Sequence, residues 1–216
     1  MLNLKHKYIR LDATTRLYNC PVPLLGLTGG IASGKSTVAK IFEQKNIPLI
    51  SADSMVKYVY TQESSIHFIA KNFPDAIVKG NINFPILRQI VFSDNDARIT
   101  VENFIYPKLP FAFYFFYNAF SNPHFVIYDV PLLYEKNLET KVDQSICVYS
   151  TSVEQIKRLQ KRDQIDFETA KKMLEAQMPL DYKKLLAHFV IDNSKDQESL
   201  KKSTESLIDL LTEEIN

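Results

Sequence analysis

A glycine-rich stretch that follows a short apolar run constrains this chain more than any other feature. Residues 29–36, Gly-Gly-Ile-Ala-Ser-Gly-Lys-Ser, fit the P-loop pattern G-x-x-x-x-G-K-[ST]. Glycine permits backbone angles that a Cβ forbids, so consecutive N–H groups can face one concavity. That concavity opens onto a helix N-terminus, whose partial positive charge favours phosphate oxygens. The stretch therefore predicts a binding site for a nucleoside triphosphate.

The residues of this loop have separate expected roles. Lys35 is expected to place a mobile positive charge against the β- and γ-phosphates, and the Ser36 hydroxyl is expected to bind Mg²⁺. The apolar run at 22–27 suits a buried strand, and residues 36–44 have apolar side chains at helical spacing. A glycine-rich turn without a ligand is the alternative, but strand, loop and helix together favour a phosphate site. The residues expected to contact the nucleotide here are Gly30, Ile31, Ala32, Ser33, Gly34, Lys35, Ser36 and Thr37.

The composition excludes several classes of protein. Lys and Arg number 26 against 25 Asp and Glu, so binding to nucleic acid through bulk charge is not expected. No apolar run reaches the length of about 20 residues that a membrane span needs. Cys20 and Cys147 form no disulfide framework or metal spacing, and the first 20 residues lack a secretory apolar region. We therefore expect a cytoplasmic enzyme, and its oligomeric state is left open.

The remaining apolar runs predict the fold class. Further buried strands are expected at 46–50, 125–129, 144–149 and 188–191. With the run at 22–27 and helical connections, they predict an α/β fold, a P-loop NTPase with a doubly wound five-stranded parallel sheet.

Two aspartates follow strands of this predicted sheet. Ligands of open parallel sheets bind beyond the carboxyl ends of the strands, so Asp53 and Asp129 are expected to face the same crevice as Lys35. Asp129 is a predicted Mg²⁺ ligand, and the alternative is that it fixes the turn before Pro131. For Asp53 the residues alone leave two interpretations equally open: a functional carboxylate, or a cap of the following helix.

The chain divides into four kinds of segment. Residues 54–120 hold no convincing strand and consist of helical pieces broken by prolines, which suits a helical acceptor-binding insertion. Its aromatic stretch at 111–120 is expected to be a buried helix, with an exposed partner surface as the alternative. The predicted segments are an N-terminal extension at 1–21; a nucleotide-binding core at 22–53, 121–157 and 185–216; the insertion at 54–120; and a lid at 158–184. The extension is expected to be short and amphipathic or disordered, and a transit peptide is the alternative.

A basic helix face supports the lid prediction. Residues 153–184 are expected to form two helices around a polar turn, and Gln155, Arg158 and Arg162 share one face of the first. Arginine suits a lid because its guanidinium can bridge two phosphate oxygens. A solvated charged face is the alternative, and the position after the fourth strand favours the lid.

A set of motifs, in order through about residues 22–200, carries a family resemblance. They are Gly26-Leu-Thr-Gly-Gly-Ile-Ala-Ser-Gly-Lys-Ser-Thr37, Ser51-Ala-Asp53, Val91-Phe-Ser-Asp94 with Glu102 and Tyr106-Pro107, Asp129-Val-Pro-Leu-Leu-Tyr-Glu135, Arg158 with Arg162-Asp163, Gln177-Met-Pro179, and Ala187-His-Phe-Val-Ile-Asp-Asn-Ser194. With these motifs the chain resembles the dephospho-CoA kinases, P-loop kinases of the last step of coenzyme A synthesis.

The resemblance implies transfer of the ATP γ-phosphoryl group to the ribose 3′-hydroxyl of dephospho-CoA, with Mg²⁺, giving CoA and ADP. Asp53 matches the family's catalytic base, and Lys35 and Arg158 complete the expected catalytic set. Arg158 and Arg162 match lid arginines near the phosphates, and Asn193 belongs to the loop beside the adenine. The insertion at 54–120 would hold the acceptor.

The chain also departs from the family pattern. Tyr106 stands where His is usual, Phe84 and Pro110 where Arg is common, His188 where Asp is usual, and Ser51 where an acidic residue is frequent. Most of these positions lie on the acceptor side.

Other functions therefore stay open as alternatives. One is another small-molecule kinase, for instance of the nucleoside-monophosphate type, and another is a catalytically weak CoA-binding homologue. A GTP-driven switch is disfavoured: residues 140–143, Thr-Lys-Val-Asp, match [NT]-K-x-D but precede a strand instead of following one.

Overall fold

The computed structural model describes residues 2–214. It contains two compact units, Met1–Leu49 with Asn122–Asn216, and Ile50–Ser121. The strands are β1 Leu2–Leu4, β2 Leu24–Gly29, β3 Leu49–Ser51, β4 Ile77–Val78, β5 Asn81–Ile82, β6 Val126–Asp129, β7 Gln144–Tyr149, β8 Phe189–Asp192 and β9 Thr212–Glu214. The helices are α1 Lys35–Gln44, α2 Ala52–Thr61, α3 Glu63–Asn72, α4 Phe84–Ser93, α5 Asn95–Ile105, α6 Leu109–Tyr117, α7 Ser152–Asp163, α8 Phe167–Glu175, α9 Leu180–Leu186 and α10 Gln197–Leu211.

The largest sheet among the described residues has five strands in the order β3-β6-β2-β7-β8. The pairs β2–β6, β2–β7 and β7–β8 are parallel. All six residues of β2 are buried, as expected for a strand that is covered on both faces of a parallel sheet. The prediction of an α/β fold with a five-stranded parallel sheet is confirmed.

Two helices bury their apolar faces in the main core of the first unit. Val38 and Phe42 of α1 and Leu200 and Leu207 of α10 belong to one buried cluster with side chains of β2, β6 and β7. Their spacing of four and seven residues places each pair on one helix face. Full burial of one such side chain contributes about 1.5–3 kcal/mol. This packing fixes α1 against β2 and so holds the loop that joins them.

The N-terminal segment, residues 2–20, forms a strand and two short turns, so the disordered alternative for this extension is wrong. β1 pairs with β9 in antiparallel fashion, and two short 3-10 turns follow at His6–Tyr8 and Leu17–Asn19. Leu4 and Cys20 are fully buried. Contacts with residues far along the chain, described below, hold this segment in place.

The region expected to form two lid helices contains three, because a turn after α8 separates α9 from it. Both cysteines are free and buried, and burial raises the pKa of Cys20 to about 11 and of Cys147 to about 12. Neither thiol is therefore suited to be a nucleophile. No helix within residues 2–214 combines the length and the apolar character needed to cross a membrane.

The second unit is mostly helical and includes the whole of the insertion predicted at residues 54–120, whose acceptor-binding role stays a prediction. The expectation that it has no strand is wrong, because β4 and β5 form a small antiparallel hairpin. Burial of the aromatic stretch is confirmed for one face only: Phe113 of α6 is fully buried, whereas Phe111 is 67% and Phe115 52% exposed. Phe115 stacks on Tyr58 with ring centroids 4.1 Å apart.

Candidate active site

The loop between β2 and α1 has the geometry of an anion site. Ala32 and Gly34 have left-handed backbone conformations, with φ of 55° and 96°. A Cβ added to Gly34 would lie 2.0 Å from Asn193 Nδ2, so only glycine fits there. The N-terminus of α1 has no side-chain cap within residues 2–214. Its first N–H groups therefore lack intrahelical partners and, with the helix dipole, favour an anion.

Ser33 gives a second indication that the loop is built for a ligand. Its side chain is 1% exposed, and its Oγ has no hydrogen-bond partner in the part of the chain that the structure describes. A buried hydroxyl without a partner is unfavourable. A bound ligand or water would satisfy it.

Lys35 and Asp129 form an ion pair at the carboxyl edge of the sheet. Lys35 is the first residue of α1 and Asp129 the last of β6. Their side chains are 13% and 12% exposed. The structure thus brings together two of the predicted site residues, next to the uncapped helix N-terminus.

The side chains at this site suit Mg²⁺, which needs few protein ligands, better than a metal ion whose ligands all come from the protein. No group of three or more His, Cys, Asp or Glu within residues 2–214 could hold a metal ion. The Asp129 carboxylate and the exposed hydroxyl of Ser36, which follows Lys35 on α1, offer oxygen ligands. Mg²⁺ commonly binds through one or two protein oxygens, with water and substrate phosphates as its other ligands.

Arg158 of α7 reaches the carbonyl side of the P-loop. Its Nη1 lies 3.4 Å from Ala32 O and 3.5 Å from Ser33 O, and its Nη2 donates to Asn193 O at 2.7 Å. Asn193 Nδ2 in turn donates to Ser33 O at 2.8 Å. The side chain of Asn193 therefore contacts the P-loop itself, and its contact with adenine stays a prediction.

Arg162, one turn further along α7, has its hydrogen bonds within the described residues to Asp163 and not to the P-loop. It forms a two-pronged pair with the neighbouring Asp163, at 2.7 and 2.8 Å, and its side chain is 58% exposed. This hydrogen bond raises the pKa of Arg162. Its predicted role near the phosphates requires the guanidinium to leave Asp163, and it stays a prediction.

Asp53 lies in the first turn of α2, directly after β3, and is exposed. The N-cap of α2 is Ser51, whose side chain accepts from Ser54 N at 3.3 Å. Capping by Asp53, one of the two interpretations left open by the sequence, is therefore wrong. Asp53 belongs to the second unit, and its approach to the P-loop stays a prediction.

Asp143, the aspartate of the [NT]-K-x-D match, has a structural role. It lies immediately before β7 and is fully buried. Its carboxylate pairs with Arg16 Nε at 2.7 Å and accepts backbone N–H groups of Arg10, Leu11 and Leu24. A carboxylate engaged in this way at the amino edge of the sheet cannot read a guanine base.

Lys183 is a site residue that the sequence did not indicate. It is fully buried; its Nζ pairs with Glu135 Oε1 at 2.7 Å, donates to Pro131 O at 2.8 Å and lies 3.4 Å from Gly29 O. It joins α9 to the segment that follows Asp129. A lysine beside another lysine in a seven-residue helix carries no signal of burial.

Gln155 and Gln177 are also engaged with the P-loop. Gln155 Nε2 donates to Ile31 O at 2.6 Å, and Ile31 N donates to Gln177 Oε1 at 3.0 Å. The sequence placed Gln155 on the basic face of α7 and Gln177 in a family motif, but it assigned neither a contact.

Comparisons with known proteins give the family of this chain. The family model described as dephospho-CoA kinase matches residues 23–199. A dephospho-CoA kinase of Oceanobacillus iheyensis is 35% identical over 190 residues, which cover 86% of this chain and 96% of the relative. Among solved structures, TT1252 from Thermus thermophilus has a TM-score of 0.79 at 26% identity, covering 89% of this chain and 99% of the other. A dephospho-CoA kinase from Campylobacter jejuni has a TM-score of 0.64 at 25% identity, with coverages of 86% and 95%. Because the family model spans most of the sequence, and the P-loop and the Asp129 segment lie inside the match, the chain belongs to the dephospho-CoA kinase family.

Proposed function

We propose that this protein transfers the γ-phosphoryl group of ATP to the ribose 3′-hydroxyl of dephospho-CoA, giving CoA and ADP. The observation that carries the proposal is the Lys35–Asp129 pair beside the uncapped N-terminus of α1, in a chain of the dephospho-CoA kinase family. The first unit supplies groups of the right charge for a triphosphate. Asp53, in the first turn of α2, is the proposed catalytic base.

In the proposed reaction the ribose oxygen attacks the γ-phosphorus while its proton passes to the Asp53 carboxylate. The bond from the γ-phosphorus to the β,γ-bridging oxygen breaks, and ADP leaves with the electron pair. The P-loop N–H groups and Lys35 stabilise the negative charge on the transferring group, and Arg158 joins them when its guanidinium exchanges a backbone carbonyl for a phosphate oxygen. Ser36 and Asp129 would hold Mg²⁺, which would supply positive charge against the phosphate oxygens of ATP.

The lid residues exclude water and complete the site. We assign Arg162 to this step: it exchanges Asp163 for a phosphate oxygen when the segment at 158–184 closes. Closure prevents hydrolysis of ATP in the absence of acceptor. The loop at 192–194, held at the P-loop by Asn193, lies beside the adenine, and the segment at 54–120 binds the acceptor.

The direct test is to incubate the protein with Mg-ATP and dephospho-CoA and to look for the 3′-phosphorylated product by mass spectrometry. A panel of acceptors that includes nucleoside monophosphates separates this activity from the nearest alternative. Phosphorylation of a nucleoside monophosphate in preference to dephospho-CoA would overturn the proposal. Tight binding of dephospho-CoA without ADP production would identify a CoA-binding protein instead.

Asp53→Asn tests the base. An amide cannot accept the hydroxyl proton, so we expect a loss of about 10²–10⁴-fold in turnover with unchanged ATP binding. Asp75→Asn is the matched control, because Asp75 is an exposed aspartate of the same unit. Turnover by Asp53→Asn at the wild-type rate would show that the base is another group.

A further inference from the structure

One residue of the P-loop is bonded at both of its peptide groups by side chains from outside the loop. The N–H of Ile31 donates to Gln177 Oε1 at 3.0 Å, and its carbonyl accepts from Gln155 Nε2 at 2.6 Å. Gln155 belongs to α7, and Gln177 lies in the turn between α8 and α9. We call this pair of glutamine side chains the Ile31 clamp.

The chemistry of the partners settles which atom of each amide faces the loop. A backbone N–H requires an acceptor and a carbonyl requires a donor. Gln177 must therefore present its oxygen and Gln155 its nitrogen. Glutamine serves both positions, whereas a carboxylate would keep the first contact and lose the second.

The clamp fits closely against the loop. Gln155 is only 4% exposed. A Cβ added to Gly30 would lie 2.6 Å from Gln155 Nε2 and 3.3 Å from Leu180. A side chain at position 30 would therefore displace the Gln155 amide that bonds to the Ile31 carbonyl.

A planar trans peptide links these contacts to the phosphate site. The carbonyl of one residue and the N–H of the next point in opposite directions. Because Gln155 holds the Ile31 carbonyl on the α7 side, the Ala32 N–H is directed away from that side. Ala32 has a φ of 55°, a conformation that a non-glycine residue keeps only when its surroundings hold it.

We propose that Gln155 and Gln177 are positioning residues of the phosphoryl-transfer reaction. They fix the two peptide groups of Ile31, and through them the direction of the Ala32 N–H towards the nucleotide. This inference rests on the proposed function only in taking the loop's ligand to be the ATP polyphosphate.

The test introduces the same charge at three glutamines and measures the affinity for Mg-ADP by calorimetry. In Gln155→Glu a carboxylate faces the Ile31 carbonyl, and we expect the Kd for Mg-ADP to rise by about tenfold or more. Gln177→Glu keeps an acceptor for the Ile31 N–H and is expected to change the Kd by about threefold or less. Gln160→Glu, on the same helix as Gln155, is the control for charge. Equal effects at positions 155 and 160, or at 155 and 177, would overturn the proposal.

Two further measurements separate positioning from a merely structural role. A structural role would lower the melting temperature and leave the Kd of the folded protein unchanged. A positioning role predicts a raised KM for ATP with an unchanged KM for dephospho-CoA. If Gln155→Glu does not fold, Gln155→Met, a neutral variant of similar size, should show the same difference between the two KM values. Mg-ADP binding needs no acceptor, so a wild-type protein that binds Mg-ADP but makes no CoA would refute the proposed function and still test the clamp.

Discussion

Two aspartates at opposite edges of one sheet pair with a basic side chain, and they do so in different ways. Asp129 ends β6 and pairs with Lys35, and their side chains are 12% and 13% exposed. Asp143 precedes β7 and pairs with Arg16, and their side chains are 0% and 6% exposed. Both strands run parallel to β2, so the first pair lies at the carboxyl edge and the second at the amino edge. An aspartate paired with a basic residue is therefore partly accessible at the edge where ligands bind to such sheets. At the other edge a similar pair is enclosed by protein.

The buried Asp143–Arg16 pair is stable because the Asp143 carboxylate is fully engaged by hydrogen-bond donors. Taking a charge out of water is unfavourable unless partners replace the solvent. Burial alone would raise the pKa of Asp143, but the hydrogen bonds from Arg16 and from the backbone N–H groups of Leu24, Arg10 and Leu11 lower it below its usual value. The carboxylate therefore stays ionised and joins the N-terminal segment to the first residue of β2.

The largest effect is expected at the accessible pair. Lys35→Met removes the positive charge that stabilises the transferring group, and we expect turnover to fall by about 10³-fold, by analogy with other charge-stabilising groups. The melting temperature should change by less than about 4 °C. Steady-state kinetics with Mg-ATP and dephospho-CoA provide the measurement, and Lys40→Met, at an exposed lysine of the same helix, is the control. If the Lys35→Met enzyme kept a tenth or more of the wild-type turnover, the proposed catalytic role of the Lys35–Asp129 pair would be wrong.

The enclosed pair is expected to affect stability and not turnover. Asp143→Asn leaves the buried Arg16 guanidinium without a counter-charge, which typically reduces the free energy of unfolding by about 3–5 kcal/mol. Urea unfolding measures this loss. The control is Asp12→Asn, an exposed aspartate of the N-terminal segment. If the folded Asp143→Asn protein lost turnover as well, the amino edge would have a functional role and the contrast between the two edges would fail.

Acid should reveal the contribution of Asp143 with a definite sign. The folded pKa is lowered, so the contribution is complete above the unfolded pKa of about 3.9 and is lost as the pH falls through the folded pKa. We expect the difference in unfolding free energy between wild type and Asp143→Asn to be constant from about pH 7 to about pH 5 and to narrow below about pH 4. Urea titrations across this range measure the difference. A gap that stayed constant down to the acid limit would show that folding leaves the pKa of Asp143 unchanged.

Features encoded by neighbouring residues were predictable, and features encoded by distant partners were not. The P-loop is a run of eight consecutive residues, 29–36, and the five sheet strands are continuous apolar runs, so local pattern was sufficient for both. The clamp joins Ile31 to side chains 124 and 146 residues away, and Lys183 meets Gly29 across 154 residues. The spacing of apolar residues along a helix or strand gives no information on contacts between residues so far apart in sequence. The order of the N-terminal segment was missed for the same reason, since Lys5 and Arg10 find their partners 133 or more residues further along.

The smallest effect is expected for a substitution in the same N-terminal segment. Its size shows how much of the attachment of this segment depends on contacts other than the Arg16–Asp143 pair. Lys5 Nζ donates to the carbonyls of Asp209 and Leu210 at 2.8 and 3.0 Å, in the last turn of α10, where a cation also interacts favourably with the helix dipole. Because the contact is exposed, we expect Lys5→Met to reduce the unfolding free energy by about 0.3–1 kcal/mol with unchanged turnover. Urea unfolding beside Lys201→Met, a control at an exposed lysine of α10, isolates this term from a general loss of charge. A loss above about 2 kcal/mol would mean that the pairing of β1 with β9, and not the Arg16–Asp143 pair alone, holds the segment to the sheet, so that the stability of the amino edge would be spread along residues 2–20.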